Sequence, residues 1–212
     1  MGVLDGVGAA VRRIVIAVML ALAGCGESTP PLTPLAPDAR IVAFGDSLTR
    51  GTGAPTGSAY PEVLERRIDR EVINAGKPGE VSEAGHQRLP EVLERHEPDL
   101  LLLCHGGNDF LQNRDPEGLR RNLRAMIEAA RANGAEVVLI GVPSRGITLS
   151  TAPLYGELAS QMEVPIVRDA VSTILREPDL RADRVHPNAK GYRRLAEAVR
   201  EVLMRSGALT HP

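Results

Sequence analysis

Five short apolar runs recur along the chain, at Ile41–Phe44, Glu71–Ala75, Asp99–Cys104, Ala135–Val142 and Pro165–Val167. Glycine, proline or asparagine punctuates the turns after most of them. The stretches between are longer, and their apolar residues fall three and four apart, the spacing of a helix with one buried stripe. Val63, Leu64, Arg67 and Ile68 predict a helix ending near Arg70, with Pro61 in its first turn. A second helix is expected over Val81–Arg95, with a break at Pro90. Leu119, Leu123, Met126, Ile127 and Ala130 form one stripe on a helix opened by Pro116 and closed by Asn133-Gly134. Shorter helices are expected over Pro153–Met162 and Ala170–Arg176, and a last one from Pro187 to about Arg205. Leu100–Leu103 is unbroken leucine, which predicts a strand buried on both faces. Strand alternating with helix implies an α/β fold, a doubly wound parallel sheet with helices on both sides.

Residues 1–39 break this pattern. Arg12 and Arg13 precede an apolar run, Ile14–Leu22, too short to span a bilayer comfortably. Basic residues, a short apolar run and small residues in that order make a secretory signal. Leu22-Ala23-Gly24-Cys25 resembles the bacterial lipobox, which implies cleavage after Gly24 and a diacylglycerol on the Cys25 sulfur. Two or more acyl chains suffice for stable anchoring. Gly26 stands where an aspartate would favour inner-membrane retention, so the expected site is the periplasmic face of the cell envelope, at the outer membrane. Residues 25–39 carry four prolines with Ser and Thr, and read as an extended tether. The division expected is therefore signal 1–24, tether 25–39, globular domain 40–206 and tail 207–212.

Composition narrows the partners. The chain has 212 residues, 43% of them hydrophobic, which suits one domain with a sizeable core. With 2% aromatic residues, no tryptophan and a formal net charge of −2, neither base stacking nor a basic patch is available, so no nucleic-acid partner is expected. The lipobox resemblance implies the membrane as one partner, and the chain is expected to be a monomer. The only other cysteine, Cys104, lies in an apolar run and reads as a free core residue.

Open α/β sheets gather their sites at the carboxyl ends of the strands. There the chain places Ser47 after the first run, Gly79 after the second and Asn108 after the third. Gly45 is expected to permit the turn that presents Ser47. A serine nucleophile needs an imidazole base, itself oriented by a carboxylate. Of the five histidines, His186 has Asp183 three residues upstream in a short loop, and His86 has Glu83 at the same spacing. The second pair falls within an expected helix and suits a surface pair better. His96 reads as a helix C-terminal residue, His105 as packing beside a strand end, and His211 as part of the tail. There is no phosphate-binding Gly-Lys-Ser/Thr loop, no metal-ligand spacing and, with Thr at position 49, no Gly-x-Ser-x-Gly elbow.

Four blocks in order resemble those of the SGNH (GDSL-type) hydrolases, within their thioesterase I/lysophospholipase L1/arylesterase branch. They are Gly45-Asp46-Ser47-Leu48-Thr49, Asn74-Ala75-Gly76-Lys77-Pro78-Gly79-Glu80-Val81-Ser82, Gly106-Gly107-Asn108-Asp109 and Asp183-Arg184-Val185-His186-Pro187-Asn188. The resemblance implies a flavodoxin-like three-layer sandwich of about five strands in the order 2-1-3-4-5. It also implies Ser47 as nucleophile, His186 as base, Asp183 as its orienting carboxylate, and an oxyanion hole from the Ser47 N–H, the Gly79 N–H and the Asn108 amide. Asp46 and Asp109 are expected to order their loops. Neither metal nor cofactor is implied. The expected activity is hydrolysis of carboxylic esters or acyl thioesters through an acyl-serine, which makes a small acyl-ester or lipid substrate the other expected partner. The alternatives are an acyltransferase or deacetylase acting on envelope carbohydrate, and a lipid-binding surface lipoprotein without catalysis. Phe110-Leu111, and the short connection Ser144–Leu149, depart from the branch's pattern and leave acyl-chain preference open.

Overall fold

The computed structural model describes residues 29–144 and 149–209. The lipobox, Arg145–Thr148 of the short connection and His211 lie outside the described residues. Five parallel strands, β1 (Ile41–Gly45), β2 (Val72–Gly76), β3 (Leu100–Cys104), β4 (Glu136–Ile140) and β5 (Ile166–Val167), stand in the order 2-1-3-4-5. The helices are α1 (Ser47–Arg50), α2 (Tyr60–Ile68), α3 (Ser82–His96), α4 (Gly107–Leu111), α5 (Pro116–Ala132), α6 (Pro153–Met162), α7 (Ala170–Arg176) and α8 (Ala189–Arg205). β1 and β3 are buried at every residue, because α3 and α5 pack together on one side while α2 and α8 pack together on the other. One continuous hydrophobic cluster, mostly aliphatic but with Phe44, Tyr60, Tyr155 and Tyr192 fully buried in it, fills the space between sheet and helices. Cys104 is free and buried within it.

Several local expectations shift. The helix over Val81–Arg95 does not break at Pro90, which sits inside a continuous α3. A proline removes one intrahelical bond, but Leu89 and Leu93 beside it are buried and hold both halves on the core. The last helix starts not at Pro187 but at Ala189, since the Asn188 side chain accepts from the Lys190 and Gly191 N–H groups at 2.9 and 3.1 Å and caps it. Pro187 instead forms an antiparallel bridge with Arg181. Residues 29–39 run along the domain rather than clear of it, with Leu32 and Leu35 packed on the core. Ala208 and Leu209 are buried too, so the domain continues past residue 206.

Register brings the site together. Gly45 is level with Gly76 on one side and Cys104 on the other. Ser47, Gly79 and Asn108 therefore follow at two, three and four residues beyond one common edge of the sheet.

Candidate active site

Ser47 opens α1, a single turn capped by Asp46, whose carboxylate accepts the Leu48 N–H at 3.0 Å. Gly45 does not supply a left-handed turn, because its φ is not positive. Its value is close approach: a Cβ there would collide with the Cys104 carbonyl and the Thr49 hydroxyl. Thr49 in turn shares a 3.3 Å hydrogen bond with the buried Tyr60 hydroxyl, tying the Ser47 turn to α2.

His186 comes from the loop before α8. The Ala182 N–H donates to the His186 carbonyl at 2.9 Å and the Asn188 N–H to the Leu180 carbonyl at 2.9 Å, so the loop closes on itself. The Tyr192 hydroxyl donates to the Thr52 carbonyl at 2.8 Å and fastens α8 to the loop after Ser47. His186 Nε2 then lies 3.0 Å from Ser47 Oγ, and its Nδ1 lies 2.8 Å from Asp183 Oδ2. The other Asp183 oxygen accepts the Val185 and His186 N–H groups, each at 2.8 Å. Burial works to raise the Asp183 carboxyl, but the imidazole and these two N–H donors outweigh it and hold it below the usual carboxylate range. An ionised Asp183 fixes the proton on Nδ1 and leaves Nε2 to accept from the serine. The rival pair does not form: the Glu83 carboxylate binds Arg114 at 2.9 Å. His96 is the last residue of α3, and His105 is fully buried under the sheet edge.

On the opposite side of Ser47, Gly79 takes φ +77°, with open space where a side chain would stand. Among the described residues, neither the Ser47 nor the Gly79 N–H donates to a protein backbone carbonyl. Asn108 Nδ2 donates to Asp46 Oδ2 at 3.1 Å and to the Glu80 carbonyl at 3.0 Å, which fixes the amide between the first two blocks. Both amide hydrogens have protein acceptors, so an oxyanion arriving there would share one of them. Burial pushes the Asp46 carboxyl up, against the opposing pull of His105 and the Leu48 N–H. Asp109 accepts from the Ser82 hydroxyl at 2.6 Å and the Ser82 N–H at 2.8 Å, joining α4 to the start of α3.

Beneath this edge lies a charged cluster that no motif in the sequence marks. The Glu80 side chain, 1% exposed, accepts from Arg88 Nη2 at 2.7 Å and Nε at 2.9 Å, and lies 3.2 Å from His105 Nε2. Arg88 also donates to the Ala75 carbonyl at 3.1 Å, and its guanidinium sits 4.2 Å above the Phe44 ring. Burial would raise the Glu80 carboxyl, yet His105 and Arg88 together bring it down to about 2. The i to i+8 spacing of Glu80 and Arg88 across a helix start carries no recognised pattern, so local sequence gives no signal for it. Among the described residues no group of three or more His, Cys, Asp or Glu side chains could hold a metal ion.

The GDSL-like lipase/acylhydrolase family matches residues 43–194, spanning all four blocks. The esterase TesA of Pseudomonas aeruginosa is 33% identical over 193 residues, covering 85% of this chain and 94% of that protein. Thioesterase 1/protease 1/lysophospholipase L1 of Escherichia coli K12 is 30% identical over 156 residues, 70% of this chain and 75% of its own. Among solved structures, TesA superposes with a TM-score of 0.72 at 30% identity, covering 78% of this chain and 98% of its own. The SGNH-hydrolase family esterase AlinE4 gives 0.63 at 30% identity, covering 80% of this chain and 96% of its own. With the matched region running across most of the described fold, the chain belongs to the GDSL-like lipase/acylhydrolase family.

Proposed function

We propose that the protein hydrolyses carboxylic esters through an acyl-enzyme on Ser47. The observation that carries this is the continuous line from Asp183 through both His186 nitrogens to Ser47 Oγ, at 2.8 and 3.0 Å. As Ser47 Oγ bonds to the ester carbonyl carbon, its proton passes to His186 Nε2 and the carbonyl electron pair moves onto oxygen. Asp183 stabilises the imidazolium that results. The N–H groups of Ser47 and Gly79 and the Asn108 amide receive the oxyanion, each such donor contributing roughly 3–4 kcal/mol at the transition state. Collapse expels the alkoxide, which takes the proton from His186, and a water then repeats the sequence to release the acid. Thioesters follow the same course with a thiolate leaving group. Ser47→Ala should abolish both hydrolysis of p-nitrophenyl esters and labelling by a fluorophosphonate probe while the fold survives. Full-strength labelling of the mutant would place the nucleophile elsewhere.

The lipobox-like Leu22-Ala23-Gly24-Cys25 supports a second element of the proposal, acylation of Cys25 and residence at the bacterial envelope membrane. Wild-type protein expressed with its own signal should fractionate with membranes, and Cys25→Ala should not. Equal solubility of the two would rule the anchor out.

A further inference from the structure

The point at which the chain joins the domain decides which face an anchored molecule turns toward its bilayer. The Leu32 N–H donates to the Ser206 carbonyl at 2.8 Å and the Leu35 N–H to the Ala208 carbonyl at 2.9 Å. The Thr33 N–H donates to both oxygens of Glu136, at 3.1 and 2.9 Å, and Arg70 donates to the Leu35 carbonyl at 3.2 Å. Ser206 follows the last residue of α8, Arg70 immediately precedes the segment entering β2, and Glu136 is the first residue of β4. All three lie at the amino-terminal edge of the sheet. Glu136 is level with Leu100, and Leu100 with Ile41, so Thr33 is held at the height where β1 begins. Ser47 lies past the other end of that strand. Five residues at about 3.3 Å each put the nucleophile at least about 16 Å farther along the strand axis.

The stretch of sequence between this attachment and Cys25 is short. Pro31 and Leu32 line a hollow with Gly134, Ala135 and Pro165 at the same edge. Leu32, the first residue so bonded, lies seven residues after Cys25. Even fully extended, seven residues span about 24 Å, whereas a domain of this size is roughly 40 Å across. Such a leash cannot carry the acyl chains around to the edge that holds Ser47.

We infer that the anchored protein turns its active site away from the bilayer that holds it, and therefore takes water-borne esters rather than acyl groups of the lipids in that leaflet. The inference rests on acylation of Cys25 and on Ser47 as nucleophile, both proposed above.

The test uses the full lipidated protein in vesicles of phosphatidylethanolamine and phosphatidylglycerol. Two butyrate esters are compared, one water-soluble and one on a fluorophore carrying an octadecyl tail, so that the same scissile group is offered in solution and at the surface of the anchoring bilayer. A second protein carries a thirty-residue Gly/Ser insertion between Ser28 and Thr29, a coil of about 30 Å root-mean-square length able to extend much farther. Both proteins should cleave the soluble butyrate within about twofold of each other. The insertion should raise cleavage of the membrane-borne butyrate at least tenfold over the natural tether. Equal rates on the membrane-borne ester with short and long tethers would overturn the orientation. Vesicle flotation separates the premises: a protein that does not float overturns the anchor, and this inference with it, while the hydrolase reading stands on the soluble ester.

Discussion

The two flanks of Ser47 are built in opposite ways. On one flank, Asp183 and His186 sit three residues apart in an exposed loop whose hydrogen bonds are nearly all internal, and the Asp183 side chain is about half exposed. On the other, Asn108, Asp46, Glu80, Arg88 and His105 come from four separate segments and meet below the sheet edge, where Asp46 and His105 are almost fully buried. In the proposed mechanism the first flank moves a proton, and a short loop can set one imidazole against one carboxylate. In the same mechanism the second holds donors still while charge develops, and rigidity there requires contacts from several elements.

The largest expected effects break the proton-moving flank. His186→Ala should lower kcat by several orders of magnitude with little change in KM, because acyl binding does not need the imidazole. Asp183→Ala should do about a hundredfold less damage, since the imidazole still acts in part without its partner. His86→Ala serves as the control and should alter kcat less than twofold. Steady-state kinetics on one p-nitrophenyl ester decide all three, and a folded His186→Ala protein retaining most of its activity would break the assignment.

Next comes the static flank. Asn108→Ala removes one of the proposed oxyanion donors and should cost about 10²–10³ in kcat. It also frees Asp46 Oδ2 and the Glu80 carbonyl from their shared partner, so some loss of thermal stability should accompany it. Asn108→Asp, which keeps the shape but offers an acceptor, should be at least as damaging to kcat. An Asn108→Ala enzyme with unchanged kcat and raised KM would instead mark Asn108 as a ground-state binding residue.

The same contrast explains what could be read from the chain. Asp183-x-x-His186 is local, so its spacing alone proposes the pair, and the apolar runs place strands because a sheet buried on both faces needs them. Ser47, Gly79 and Asn108 were legible only as residues after strand ends and through resemblance to known blocks. The Glu80–Arg88–His105 cluster was not legible. A buried ion pair depends on how two distant segments pack, and nothing in a one-dimensional pattern separates Glu80 from surface glutamates. Pro90 misled for a related reason, since a local rule for breaking helices omits the burial of Leu89 and Leu93 that holds this one together. Pro187 misled because the side chain of its neighbour Asn188 was the stronger start signal.

The smallest effect on rate, and the sharpest test of the comparison, is expected from Glu80→Gln. The substitution keeps the backbone carbonyl that receives Asn108, so kcat should fall by no more than about tenfold, as the loop bearing Gly79 loosens. Stability should respond more. The Glu80 carboxyl is lowered from 4.5 to about 2, despite burial, by His105 and Arg88. A depressed carboxylate stabilises the fold fully above its unfolded value and loses that contribution as pH falls toward the folded one. Wild type should therefore exceed Glu80→Gln in unfolding free energy near neutrality, by up to about 3 kcal/mol, and the gap should close between about pH 4.5 and pH 2. Arg88→Met leaves Glu80 buried without its main counter-charge and should be more destabilising than Glu80→Gln at neutral pH, because an unpaired buried charge costs more than a neutral amide. Urea titrations of the three proteins across this pH range measure it. A difference that stays constant down to pH 2 would mean that the carboxylate charge does not hold this flank together.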